Sequence, residues 1–146
     1  MEFFAKTFDE LTTTELYEIL KSRAQIFMIE QKIYCLDMDD IDYKAMHFFL
    51  KENEKTIAYL RAYYYNEEHS VVKIGRVLSV THKKGLGREL MNNCIKYIND
   101  NMKCEKIFVS SQCQAMGFYE KCGFKTVSDE YLEEGVPHIA MELYLK

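Results

Sequence analysis

Proline occurs once, at Pro137, and glycine only six times in the 146 residues. A Pro- or Gly-rich linker is therefore excluded, and with no internal repeat the stretch 1–146 reads as one domain. Histidine occurs four times, never at a metal-ligand spacing, and none of the five cysteines forms a C-x-x-C pair. That leaves no basis for a metal site. The odd cysteine count favours free thiols in a reducing, cytoplasmic compartment over disulfides. No long apolar stretch is present, so neither a signal peptide nor a membrane span is expected. Basic charge is short too. Lys and Arg number 19 against 23 Asp and Glu, a net charge of −4, which argues against a general nucleic-acid binder. Two phosphate-binding signatures are missing as well: there is no G-x-x-x-x-G-K-[ST] and no G-x-G-x-x-G, which speaks against a nucleoside-triphosphate loop and a dinucleotide fold.

What the chain does have is concentrated between Val71 and Tyr97. The β-branched run Val71, Val72, Ile74, Val77 and Val80 predicts a strand. Lys83, Lys84, Gly85 and Gly87 then make a short basic turn, after which Leu86, Leu90, Cys94, Ile95 and Ile98 recur at helical spacing. Strand, glycine turn and helix in that order present backbone N–H groups and a helix N-terminus to a phosphate. Lys83, Lys84 and Arg88 add positive charge at the same place. On an acidic background such a cluster suits a small anionic ligand better than a long polyanion. The same residues would also serve an ordinary strand-to-helix connection, in which the glycines only make the turn.

Elsewhere the pattern predicts a first strand over 2–8 and a helix entered at Thr12-Thr13-Thr14-Glu15 and carrying Leu16, Ile19, Leu20, Ile26 and Phe27. An acidic loop follows over 30–44, with Asp37, Asp39, Asp40 and Asp42. A second strand begins at His47, a turn falls at Asn53-Glu54, and strands over Thr56–Tyr65 and Val71–Val80 can pair as a hairpin. After a helix over 86–101 come a strand over 106–110, a short helix over 114–122 ending at Gly123, and two last strands, Phe124–Val127 and Ile139–Leu145, around an acidic loop. The order β-α-β-β-β-α-β-α-β-β implies an α/β (α+β) protein with a mixed sheet flanked by helices.

That order, with a glycine turn after the fourth strand, resembles the GNAT superfamily of acyl-CoA-dependent N-acetyltransferases. The superfamily's pyrophosphate motif, R/Q-x-x-G-x-G/A, matches His82-Lys83-Lys84-Gly85-Leu86-Gly87, with both glycines in register and His82 in place of Arg or Gln. A second motif, N-x-x-A-x-x-F/Y-Y-x-K-x-G-F, matches Gln112-Cys113-Gln114-Ala115-Met116-Gly117-Phe118-Tyr119-Glu120-Lys121-Cys122-Gly123-Phe124. Phe27-Met28-Ile29-Glu30-Gln31 and Glu134-Gly135-Val136-Pro137-His138-Ile139-Ala140-Met141 are similar to the ElaA-like branch, which reads F-x-V-E-Q and E-x-G-I-P-H-I-x-M there. The likeness spans nearly the whole chain. It implies a mostly antiparallel sheet of six to seven strands that splays between the fourth and fifth.

The resemblance also implies a chemistry: acetyl transfer from acetyl-CoA, as co-substrate and without a metal, to a primary amine. Lys83, Lys84, Gly85, Leu86, Gly87 and Arg88 would hold the pyrophosphate. Backbone groups around Leu78, Ser79 and Val80 would pair with the pantetheine like an added strand. Gln112 and Phe118, within the second motif, would contact the cofactor too. Tyr119 matches the tyrosine that protonates the departing thiolate, although one tyrosine among eleven could equally be packing a half-buried helix. Glu30, Asp39, Glu134 and His138 are candidates for the base, and histidine's titration range near neutrality suits that work. Arg76, a charge inside a strand, asks for an acidic neighbour such as Glu30 or a place in the acceptor pocket. The 37–42 loop and Glu133-Glu134 would make an acidic pocket for a cationic acceptor, a small molecule or a peptide amine. Exposed edge strands would permit a homodimer. His82 and a connection after Val80 shorter than the family norm support a second reading, an acyl-CoA-binding or interaction module with little catalytic activity.

Overall fold

The computed structural model describes residues 1–81 and 85–146; His82, Lys83 and Lys84 of the basic turn lie outside them. Among the described residues eight strands form one sheet: β1 (Glu2–Thr7), β2 (Met46–Glu52), β3 (Lys55–Tyr64), β4 (Val71–Ser79), β5 (Lys106–Gln112), β6 (Lys125–Thr126), β7 (Tyr131–Glu133) and β8 (Val136–Tyr144). The order is β1-β2-β3-β4-β5-β8-β6, with β7 paired to β8. Every pairing is antiparallel except β4–β5. Eight strands exceed the expected six to seven because the last acidic loop is itself part of the sheet. Glu134 (φ 51°) and Gly135 (φ 73°) turn β7 back onto β8, which starts at Val136 rather than Ile139. Two successive left-handed residues give the tight turn whose twist suits a hairpin, as Asn53 and Glu54 do between β2 and β3.

Period-two alternation divides the core. Phe48 and Leu50 of β2 face one side of the sheet, where Leu86, Leu90, Met91, Cys94 and Ile98 of α2 (Leu86–Asn101) cover them. Phe49 faces the other side with Tyr59 and Leu78, beneath Ile19 of α1 (Thr13–Arg23) and Ile26. Thr12 caps α1 as its spacing predicts: the Thr12 hydroxyl accepts the Glu15 N–H at 3.0 Å, and the Glu15 carboxylate accepts the Thr12 N–H at 2.9 Å. Burial alone would raise the Glu15 pKa, but the Thr12 amide, Lys6 and Lys51 outweigh it and hold the carboxyl at about 2.

The first helix departs from expectation after Arg23. Its continuation, Ala24–Glu30, is π-helical, a wider winding that accommodates an extra residue per turn.

β4 is where the sheet opens. It pairs with β5 only from Val71↔Lys106 to Ile74↔Val109. On its other edge Arg61 pairs with Gly75 but Tyr59 with Leu78, so Arg76 and Val77 together stand opposite Leu60. This bulge, with Arg76 at φ 55°, bends β4 away from β5. The splay expected from the resemblance is thus present, and a local backbone irregularity accompanies it.

Candidate active site

A cavity of about 690 Å³ runs through the gap between β4 and β5. Leu20, Arg23, Ala24, Phe27, Met28 and Gln31 line one wall at intervals of three and four residues, carried from α1 into the π-helix. Lys73 to Val77 of β4 and Ser110 and Gln112 of β5 flank the gap, Tyr119 closes it from the α2 side of the sheet, and Glu133, Glu134 and His138 form the far rim. Of the four candidate bases, Glu134, His138 and Asp39 reach this cavity; Glu30 is exposed and is not part of its wall.

Tyr119 sits in α3 (Met116–Lys121), 7 % exposed, with its ring edge-on to Phe118 and Phe124. Both sequence readings meet here, since the ring packs in the core while the side chain also lines the cavity. Its hydroxyl makes no hydrogen bond among the described residues, and burial pushes its pKa upward, so at neutral pH it is a proton donor. His138 is buried in β8. A carbonyl can only accept, so the 2.7 Å contact to the Val136 oxygen assigns the proton of the neutral ring to Nδ1. Nε2 is then bare and stands 3.4 Å from the Glu133 carboxylate, whose other oxygen accepts the Ser110 hydroxyl at 3.1 Å.

The acidic loop behaves otherwise than its composition implied. Asp37, Asp39 and Asp42 are held by three arginines: Arg23 reaches Asp37 and Asp42 at 2.8 Å, Arg61 reaches Asp39 at 2.6 Å and Asp42 at 3.0 Å, and Arg76 reaches Asp37 at 2.8 Å. Arg76 thus finds the acidic neighbour it called for, in Asp37 rather than Glu30. The Arg61 guanidinium holds the Asp39 carboxyl at about 2 against a smaller opposing effect of burial. Three carboxylates against three guanidiniums leave this wall without net charge, so only Glu133 and Glu134 remain of the expected acidic pocket. Arg23, Arg61 and Lys73 were not singled out from sequence. The signal for Arg61 and Lys73 existed, because each is a charge inside an expected strand, the feature that marked Arg76.

Of the described cofactor candidates Gln112 lines the cavity, whereas Leu78, Ser79 and Val80 stand at the end of β4 and Gly85 to Arg88 at the start of α2, outside its wall. Lys83 and Lys84 fall outside the described residues. Val80 donates its N–H to the Ile57 oxygen at 2.9 Å, so its amide is committed to β3, and by strand alternation Ser79 turns its backbone toward the gap. Leu78 and Leu86 bury their side chains in the two cores, which leaves only main-chain groups for a ligand. Glu89 donates to the Gly85 oxygen, so the amides of Leu86, Gly87 and Arg88 precede the first helical bond and are not used by the helix. Gly85 caps α2 at φ 91°, and Gly87 lies under Phe118, whose ring would be 3.4 Å from an added Cβ. Gly85→Ala would meet no atom yet be held left-handed, so a urea titration should show a loss of about 1 kcal/mol. Gln112 donates to Gln31 at 2.8 Å and accepts from Gln114 at 3.0 Å, closing the cavity floor. Burial raises the thiol pKa of Cys113 and Cys122, so neither offers a thiolate nucleophile. Among the described residues no group of His, Cys, Asp and Glu could hold a metal ion, and no helix is long and apolar enough to cross a membrane.

Comparison with known proteins agrees with this geometry. Residues 15–145 match the family model described as "Acetyltransferase (GNAT) domain". A UPF0039 protein of Schizosaccharomyces pombe is 40% identical over 99% of this chain and 98% of its own length. Among solved structures, an acyl-CoA N-acyltransferase from Pseudomonas aeruginosa superposes with a TM-score of 0.88 at 30% identity, covering 97% of this chain and 99% of that one. Escherichia coli ElaA gives 0.89 at 26% identity with the same coverage, 97% and 99%. With an opened β4–β5 gap, a glycine-capped helix behind it and a family match over most of its length, the chain belongs to the GNAT acetyltransferases, in their ElaA-like branch.

Proposed function

We propose that this protein transfers an acetyl group from acetyl-CoA directly to a primary amine. The observation that carries the reading is the cavity through the β4–β5 gap, with a proton-donating Tyr119 on one side and a His138 Nε2 on the other. Acetyl-CoA supplies the acetyl group as a thioester. The open amides of Leu86, Gly87 and Arg88, with Gly85 setting their approach and Lys83, Lys84 and the Arg88 side chain adding charge, take the pyrophosphate. Phe118, over Gly87, flanks the same site. Backbone of β4 past the bulge, Ser79 foremost and Leu78 and Val80 beside it, lines the path of the pantetheine, which ends near Gln112. His138 Nε2 takes the proton of the acceptor ammonium, and Glu133 stabilises the resulting imidazolium. The neutral amine forms the C–N bond as the C–S bond breaks, Tyr119 gives its proton to the departing thiolate, and the second proton of the new amide nitrogen passes through solvent to restore the Tyr119 phenol.

Asp39 is tied to Arg61, Glu30 lies outside the cavity wall and Glu134 is exposed on the β7–β8 turn, so His138, buried and oriented by Val136, is the favoured base. His138→Ala is expected to lower kcat by about 10²-fold at neutral pH and to flatten the acid limb of the pH–kcat profile. A normal profile would remove His138 from this role. The reading as a whole is tested by following CoA release from acetyl-CoA across a panel of primary amines. Calorimetric binding of acetyl-CoA without turnover of any amine would replace it with that of a binding module.

A further inference from the structure

Lys73 stands out among the charges of the cavity wall. It projects from β4 at the last paired residues before the gap, lines the cavity, and makes no ion pair among the described residues. The residues outside the description are His82, Lys83 and Lys84, which carry no negative charge to offer it. Its ammonium lies over the rings of Tyr65, at 4.9 Å, and Phe108, at 5.7 Å, and these two rings stack on each other at 5.3 Å. The aromatic pair fixes the stem and leaves the N–H donors unspent. Glu133 makes no ion pair with Lys73: its charge favours the ammonium, but its carboxylate is engaged by Ser110 and faces His138. Burial depresses the Lys73 pKa, as expected where a charge has lost water and gained no partner. An anion entering the cavity would remove that penalty through a charge-assisted hydrogen bond.

The remaining charges on the wall show what else such an anion must carry. The arginine–aspartate cluster is neutral, whereas Glu133, beside His138, is a carboxylate placed for an ammonium group. The cavity therefore has a positive pole at Lys73 and a negative pole at Glu133. Resting on amine acetylation as proposed above, we propose that the acceptor is a primary amine that also bears a carboxylate, with Lys73 binding the carboxylate while the amine faces His138 and Glu133. A purely cationic polyamine fits this arrangement less well.

The test compares acceptors with and without the carboxylate: phenylalanine against 2-phenylethylamine, lysine against cadaverine, and 6-aminohexanoate against pentylamine. The ratio of kcat/KM within each pair is measured for the wild type, Lys73→Met and Lys73→Arg. At least one carboxylated partner should be preferred by about tenfold or more, the preference should collapse in Lys73→Met, and Lys73→Arg should restore part of it. Equal or better use of every decarboxylated amine, or a preference that survives Lys73→Met, overturns the proposal. If no amine in the panel is acetylated, amine acetylation fails separately, and the same three carboxylates are titrated calorimetrically. Binding that disappears in Lys73→Met upholds the carboxylate site, and absence of binding overturns it.

Discussion

Changing Tyr119 to phenylalanine is expected to lower kcat by about tenfold or more while leaving the affinity for acetyl-CoA within about twofold. The separation follows from what the side chain does. Its ring packs against Phe118 and Phe124 at centroid distances of 5.1 Å and 5.7 Å, and phenylalanine keeps both contacts. The hydroxyl has no partner among the described residues, so its loss leaves no group unsatisfied and should not weaken the fold. What disappears is a proton held at neutral pH by a buried phenol at the gap, the proton that the proposed mechanism gives to the leaving thiolate. Steady-state kinetics with calorimetric binding reads both halves, and an unchanged kcat would reduce Tyr119 to packing alone.

The second large effect concerns stability. Arg61 is 2 % exposed and meets both Asp39 and Asp42. Arg61→Leu would leave Asp42, 8 % exposed, with Arg23 as its one remaining ion-pair partner among the described residues, and Asp39 with the longer 3.5 Å contact to Arg76. Breaking a buried pair from one side costs about 3–5 kcal/mol, because the partner charge stays behind. Chemical denaturation should show a loss of that order, and adding Asp39→Asn should recover part of it. The same cluster sets an acid limit. A carboxyl held at about 2 in the fold and near its ordinary value when unfolded contributes stability that is fully present above about pH 4. That contribution is lost as pH falls through about 2. The urea midpoint should therefore drop between about pH 4 and pH 2, and Asp39→Asn should make the drop shallower.

Local features of the fold were legible in the sequence, and features that depend on distant partners were not. The β-branched run from Val71, the capping residues at Thr12 and Glu15, the Asn53-Glu54 turn and the glycine at the head of α2 all depend on neighbours a few residues away. Each appears where its spacing placed it. Ala24–Glu30 is π-helical, with Ile26 buried against Phe49, Tyr59 and Leu78, and nothing in those seven residues distinguishes them from an ordinary helix. The acid-rich loop shows the same limit. Composition alone read Asp37, Asp39 and Asp42 as charge available to a ligand. Their arginines come from α1, β3 and β4, separated from them by 14 to 39 positions, and no local pattern announces those pairings. The candidate base was narrowed for a similar reason: His138 gains its orientation from Val136 and its partner from Glu133 only once β7 folds back on β8.

Among the described residues, four residue pairs between β4 and β5 join the left and right halves of this sheet. Past Ile74 and Val109, two strand edges face each other with main-chain groups that no neighbouring strand protects. The amides of Gly75 to Ser79 that point across this seam should be among the first in the sheet to exchange with solvent, well before those of β2 or β3. A strand-like guest lying in the seam would act as a stitch. It would bind the two halves into a single cooperative unit, so the protein should unfold as one body more fully when it is engaged than when it is at rest.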